Sequence, residues 1–335
     1  MHAPLLRERV FQRLDEGRSR ATVIWVDGPP GSGKTTAVAT WLEDRGLPFQ
    51  WYQVDRSDED PATVFHFLAE LAARQPGEGA GRLPALTPAH LPDLAGFTHR
   101  FFRDFLARFP VESALVLDNV QEVESGGLLE ILREAAGEFP AGMTLVCISR
   151  QPLPPTLSRL AASEEVLRVG WDVLRFEPEE SRAVVARRTE GAGDPGALHE
   201  RSGGWAAGLV LLAAQARSDP GARGTVSLPS PTVFDYFAGE ILERTSPLQR
   251  EVMLRTALLP EITRDAAIAL TGCPDAPEVL EDLHRRQYFT DRRAGTPPSW
   301  RYHDLFREVL LSRLGQEVDS DRLAGIRRQA AAVLE

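Results

Sequence analysis

The chain has 335 residues, 43% of them apolar and 26% charged, and a formal net charge of −10; one hydrophobic core rarely serves a chain this long, so two or three packed units are expected. No uncharged apolar run reaches the roughly 18 residues a bilayer span needs, and Arg7, Glu8, Arg9, Arg13, Asp15 and Glu16 break the stretch where a secretory signal has its apolar core, which excludes membrane insertion and points to the cytoplasm. The acidic balance excludes an extended nucleic-acid surface, because phosphate contacts need clustered Lys or Arg.

In chain order, residues 22–27 (TVIWVD) predict a strand, and Lys34 to Glu43 a helix with Ala37, Val38 and Leu42 on one side. Between them Gly28-Pro29-Pro30-Gly31-Ser32-Gly33-Lys34-Thr35 is a complete GxxxxGK[ST] pattern in the strand-to-helix context it requires. Gly28, Gly31 and Gly33 let successive backbone N–H groups turn inward, and the helix N-terminus adds partial positive charge at the anion. Residues 28–36 are thus the expected nucleotide-contacting set, Thr36 included, with Lys34 reaching the β and γ phosphates and Thr35 ligating Mg²⁺. Lys34 is the only lysine among 38 Lys and Arg residues. Arginine bias of this kind follows GC-rich coding, so the surviving lysine marks a place where a compact ammonium does what a guanidinium fork cannot.

A second strand is expected at Phe49 to Val54, then, after Asp58 and Asp60, a helix carrying Val64, Phe65, Leu68 and Leu71. Gln75 to Pro92 is rich in Pro and Gly and reads as a mobile surface insertion. Phe97 to Phe109 predicts an aromatic-rich helix, and Ala114 to Leu117 a buried strand ending in Asp118, the acid that would hold the Mg²⁺ water shell. Asn119 follows where many P-loop ATPases carry a second acid; an amide cannot act as a general base, so slow hydrolysis is expected. Leu128 to Phe139 predicts a helix, and Met143 to Ser149 a strand that buries the Cys147 thiol; the other cysteine, Cys273, has no metal-ligand spacing. Arg150 ends that strand, where it is placed to contact a γ phosphate and separate triphosphate from diphosphate; the alternative is an arginine paired to a helix carboxylate. Val166 to Val169 is a fifth strand, and five strands interleaved with helices imply an α/β fold with a parallel sheet covered on both faces.

Beyond Pro178 the alternation stops. Glu179 to Arg188 and Trp205 to Ala216 predict helices, and Ser218 to Pro231 a linker. Short helices follow at Val233 to Leu242, Pro247 to Ala257, Asp265 to Leu270 and Pro277 to Arg285. Tyr288 to Arg292 and Ser299 to Tyr302, joined across Arg293 to Pro298, predict a hairpin, and Leu305 to Leu314 a helix, together a winged-helix unit. Arg322 to Leu334 is an uncapped Ala-rich helix that reads as the start of a truncated arm. Trp51, Trp171 and Trp205 lie in apolar patterns and read as core rather than as a base-stacking set.

The P-loop, the run from Asp118-Asn119 through Gln121 to Val123, Ser149-Arg150, the run from Gly203 to Leu209 and the run from Arg301 to Leu310 occur in the order seen in MalT-like regulators, of the STAND class of signal-transducing P-loop ATPases, and the resemblance runs from about Leu5 to Leu314. It implies a nucleotide-binding domain (1–176), a small helical domain (177–228), a winged helix (229–316) that closes over bound ADP, and the beginning of a sensor arm (317–335). It also implies adenine nucleotide with Mg²⁺ as ligand, an ADP-bound resting monomer, and a homo-oligomer on exchange for ATP. An inducer would act through a C-terminal sensor, and DNA would be met only through an effector domain, neither present in these residues. Ala206 stands where relatives place a proline against the adenine, and His303 resembles the winged-helix histidine that touches the ADP β phosphate. Two other expectations stay open: a working ATPase of the AAA+ kind, and a STAND defence or scaffold protein without a transcriptional role.

Overall fold

The computed structural model describes residues 5–74, 82–123, 127–189, 193–218, 231–293, 295 and 297–334. The expected linker at 218–231, most of its length, and part of the insertion expected at 75–92 lie outside the described residues. The chain forms two compact units: the first holds Leu6–Gly28 and Gly33–Leu174, and the second gathers Leu5, Pro29–Ser32 and the described residues from Arg175 onward.

In the first unit the elements are α1 (Glu8–Arg20), β1 (Val23–Asp27), α2 (Lys34–Asp44), β2 (Phe49–Gln53), α3 (Pro61–Ala73), α4 (Leu94–Leu106), β3 (Ala114–Asp118), α5 (Gly127–Ala136), β4 (Thr144–Ser149), α6 (Ser158–Ala162), β5 (Val166–Val169) and α7 (Trp171–Leu174). The five strands are all parallel, in the order β2-β3-β4-β1-β5. Successive residues of a strand face opposite sides of a sheet, and β1 divides accordingly. Val23 and Trp25 join a core with Phe65, Phe97, Phe101, Phe102 and Phe105, from α3 and α4. Ile24 and Val26 join a second core with Val10, Phe11, Leu14, Val38, Trp41 and Leu42, from α1 and α2. Both faces are therefore dry, as the continuous apolar runs of β1, β3 and β4 require. Helix α1 was not expected from the sequence; Gly17 lets it approach the sheet, since a Cβ there would stand 2.9 Å from the Ile24 side chain.

Because β4 lies between β1 and β3, the register sets Asp27 beside Ser149 and Ile148 beside Asp118. The tip of β4, with Arg150 next in the chain, thus sits between the strand that feeds the P-loop and the strand that ends in Asp118.

The second unit continues with α8 (Pro178–Thr189), α9 (Pro195–Ser202), α10 (Ala206–Ser218), α11 (Pro231–Glu240), α12 (Pro247–Thr256), β6 (Ile262–Thr263), α13 (Arg264–Thr271), α14 (Ala276–Arg285), β7 (Thr290–Arg293), β8 (Ser299–Tyr302), α15 (Asp304–Glu317) and α16 (Ser320–Leu334). The expected hairpin is β7 and β8, and β6 adds a third antiparallel strand in the order β6-β8-β7. A two-residue strand carries no periodicity, which is why the sequence did not show it. Tyr302 is buried at the end of β8, and its hydroxyl lies 2.8 Å from that of Thr256 on α12, tying the wing to its helices.

Candidate nucleotide site

Elements of the first unit position the side chains expected at a phosphate. Gly33 caps α2 in the left-handed region at φ 85, so the chain enters the helix with its first N–H groups unused by the helix ladder. Lys34, 8% exposed, donates from Nζ to the Gly28 carbonyl at 2.7 Å, closing the loop across its own base. The Thr35 hydroxyl donates to Asp118 Oδ2 at 3.0 Å, and the Asn119 N–H donates to Asp118 Oδ1 at 2.9 Å. Burial pushes the Asp118 carboxyl above its usual range, against the pull of Thr35, the Asn119 N–H, Lys34 and Arg150. A hard divalent cation would relieve that burial cost, and a hydroxyl beside a carboxylate is the oxygen donor pair that Mg²⁺ takes. Thr36 lies exposed in the first turn of α2, where its carbonyl accepts from the Thr40 hydroxyl at 2.7 Å.

Asp27, fully buried at the end of β1, meets Arg168 of β5 through two bonds of 2.5 and 2.7 Å. A buried carboxylate needs such a partner, and the pair fixes the point from which the P-loop departs. Arg150 follows β4 as expected, and its N–H donates to Gln121 Oε1 at 2.8 Å.

The apex of the loop belongs to the second unit. Pro29 and Ser32 close a turn, the Ser32 N–H donating to the Pro29 carbonyl at 3.2 Å, and Ser32 is fully buried. The Trp205 indole N–H donates to the Pro30 carbonyl at 2.9 Å, and the Ala207 N–H donates to the Gly31 carbonyl at 3.0 Å. Gly31 adopts φ 69, and a Cβ there would fall 2.4 Å from Tyr236 Oη and 2.6 Å from Ala207 Cβ. Ala206 opens α10 between the two donors.

Trp205 is buried, as a core reading demands, but its ring also packs against Tyr236, Phe237, Phe289 and His303. Trp205 is core, as expected, and its indole N–H additionally holds the Pro30 carbonyl at the P-loop apex. Trp51 and Trp171 are partly buried and pack against the core of α1, α2 and the sheet. Neither Trp205 nor Gln121 carries a local sequence signal for its contact, because each partner is distant along the chain.

His303 caps α15 and bonds through Nε2 to the Ser202 carbonyl at 2.9 Å, while its Nδ1 is buried without a hydrogen-bond partner. Since Nε2 must donate to a carbonyl, a neutral ring leaves Nδ1 as a bare acceptor. Burial holds the ring below the ordinary histidine range, outweighing the Ser202 carbonyl and the Asp304 and Asp291 carboxylates, with Arg301 adding to the lowering. A folded value below the unfolded one, near 6.5, means stability is full above that pH and falls as the pH drops toward the folded value. His303→Asn is expected to flatten that acid limb in thermal melts taken below about pH 6.5; an unchanged limb would assign it to other groups.

On the wing, Arg292 lies 3.4 Å from Glu281 and Arg301 lies 3.0 Å from Asp304. These arginines meet carboxylates of their own domain. Among the described residues no helix is long and apolar enough to cross a membrane.

Comparisons with known proteins bear on both units. A family model described as the MalT winged helix domain matches residues 238–322, and one described as Nephrocystin 3, N-terminal, matches residues 3–150. The HTH-type transcriptional regulator MalT of Cronobacter sakazakii is 28% identical over 338 residues, 98% of this chain and 37% of that protein. MalT of Yersinia enterocolitica is 24% identical over 323 residues, covering 94% of this chain and 35% of its own. The chain thus spans little more than a third of the length of these curated relatives. Among solved structures, a Walker-type ATPase of Pyrococcus abyssi superposes with a TM-score of 0.60 at 14% identity, covering 92% of this chain and 96% of that one. The fold is that of a P-loop NTPase with a winged helix.

Proposed function

We propose that this chain, MalT-like in sequence along nearly all of its length and a P-loop NTPase in fold, is the ATP- and ADP-binding switch module of a transcription-regulating signalling protein. The observation that carries this reading is an arrangement complete for binding and incomplete for turnover. Lys34, Thr35 and Asp118 are set for a polyphosphate and its Mg²⁺, whereas the residue after Asp118 is Asn119, which cannot take a proton from water. Mg²⁺ would supply charge neutralisation between the phosphates. The chain's own residues cradle the phosphate tail through the backbone of Gly28 to Thr36, hold the metal through Thr35 and Asp118, and read the γ phosphate through Arg150.

A ligand moves a conformational equilibrium only by its differential affinity for the two states. Arg150 favours triphosphate, and His303 favours diphosphate, its orphan Nδ1 becoming a donor once the ring is protonated against a β phosphate. The resting form holds ADP with the adenine against the backbone at Ala206; exchange for ATP releases it toward self-association. The inducer, the sensor and the DNA-reading effector act through parts of a longer protein. The ion pairing of Arg292 and Arg301 within the domain supports a wing used internally, so a DNA-driven AAA+ motor is not favoured.

The test is turnover set beside retention. Mass spectrometry of the denatured, freshly purified protein is expected to find ADP, with steady-state hydrolysis below about 1 s⁻¹, where an ordinary enzyme runs near 10 s⁻¹. Tens of turnovers per second, rising further with DNA, would replace the switch by a motor.

A further inference from the structure

Strand β3 ends in Asp118, and the chain then turns on itself. Asn119 takes the left-handed conformation at φ 64, which asparagine tolerates better than most side chains, and a single 3₁₀ turn over Val120–Glu122 follows. This turn brings the Gln121 side chain back across the tips of β3 and β4. Its Oε1 accepts the Arg150 N–H at 2.8 Å, and its Nε2 donates to Asn119 Oδ1 at 3.2 Å. The amide orientation follows from chemistry, since a backbone N–H only donates and must face the oxygen.

The β3–β4 ladder pairs Asp118 with Ile148 at its end. Beyond that pair, the Gln121 carboxamide supplies a side-chain acceptor to the Arg150 N–H. It therefore sets where the backbone of Arg150 lies, and so the origin from which the guanidinium reaches into the site. Two other bonds hold the following turn: the Gln151 N–H donates to Ser149 Oγ at 3.0 Å, and Trp25 Nε1 donates to the Gln151 carbonyl at 3.1 Å. The strand end thus stays attached without Gln121, while the alignment of Arg150 does not.

We propose that Gln121 is a positioning residue that sets the preference of the site for triphosphate over diphosphate by fixing Arg150 to the strand that carries Asp118. This rests on the reading of Arg150 as the γ-phosphate contact. Gln121 touches no nucleotide; its effect on affinity passes through Arg150, so it falls on ATP and spares ADP.

The experiment is calorimetric titration of the nucleotide-stripped protein with Mg²⁺-ADP and with a non-hydrolysable Mg²⁺-ATP analogue. The variants are Gln121→Met, which keeps the volume and removes the carboxamide's hydrogen bonds, Gln121→Ala, Arg150→Ala and the Gln121→Met/Arg150→Ala double variant. The ATP-analogue affinity of either Gln121 variant is expected to fall roughly 3- to 10-fold, the worth of one hydrogen bond, with ADP affinity held within about twofold. The double variant should bind the analogue no worse than Arg150→Ala alone, as residues acting through one another are non-additive. Equal weakening of both nucleotides, or an additive double variant, overturns the proposal and makes Gln121 merely structural. If Arg150→Ala lowers the ATP preference and Gln121→Met does not, the inference fails while the reading of Arg150 stands. If Arg150→Ala leaves the preference unchanged, both fall.

Discussion

Lys34→Arg is expected to lose nucleotide affinity as fully as Lys34→Ala, although it keeps the positive charge. The ammonium is buried at the start of α2 and held 2.7 Å from the Gly28 carbonyl, so a phosphate must meet it inside a ring of backbone. A planar guanidinium with a fixed fork does not fit a space bounded by a carbonyl at that distance. A charged hydrogen bond of this kind contributes about 1.5–3 kcal/mol, so Mg²⁺-ADP binding should weaken roughly 10- to 150-fold in calorimetry. The sequence poses the same question by itself, since every other basic side chain is arginine. Binding of Lys34→Arg at wild-type strength would reduce the lone lysine to an accident of composition.

Gly31→Ala is expected to be the most damaging small substitution in the P-loop. The backbone at φ 69 costs any L side chain about 1–2 kcal/mol. The added Cβ would also meet Tyr236 Oη at 2.4 Å and Ala207 Cβ at 2.6 Å, and overpacking of this kind costs about 1–3 kcal/mol more. Relief requires the apex to move, which breaks the bonds from Trp205 to the Pro30 carbonyl and from Ala207 to the Gly31 carbonyl. Thermal melts should show a fall of roughly 5–15 °C, with nucleotide affinity reduced as well. Gly46, also at positive φ but with nothing within 4 Å of a Cβ, supplies the control: Gly46→Ala should lose only the backbone part. Equal melting of the two variants would mean that the apex is not held as the structure shows.

What the sequence disclosed and what it withheld divide along physical lines. The parallel sheet was legible because β1, β3 and β4 are buried on both faces and read as unbroken apolar runs, and the P-loop because its geometry needs glycine at fixed offsets. The winged hairpin was legible from its turn residues. Helix α1 was missed because Val10, Phe11 and Leu14 are scattered among charges, and β6 because two residues are too few for a pattern. The coupling residues were hidden for a different reason. Trp205 and Gln121 each reach a backbone atom far along the chain, the Pro30 carbonyl and the Arg150 N–H. A backbone partner leaves no residue-type signature at either end.

The account depends on one binding event in the loop from Gly28 to Thr36. Protein stripped of nucleotide and shown to be folded is titrated with Mg²⁺-ADP and Mg²⁺-ATP, beside the guanosine forms. The account predicts saturable one-to-one heat with the adenosine nucleotides that is strongly reduced in Lys34→Ala. Absence of heat with every nucleotide, or the same heat after Lys34 is replaced, would contradict it.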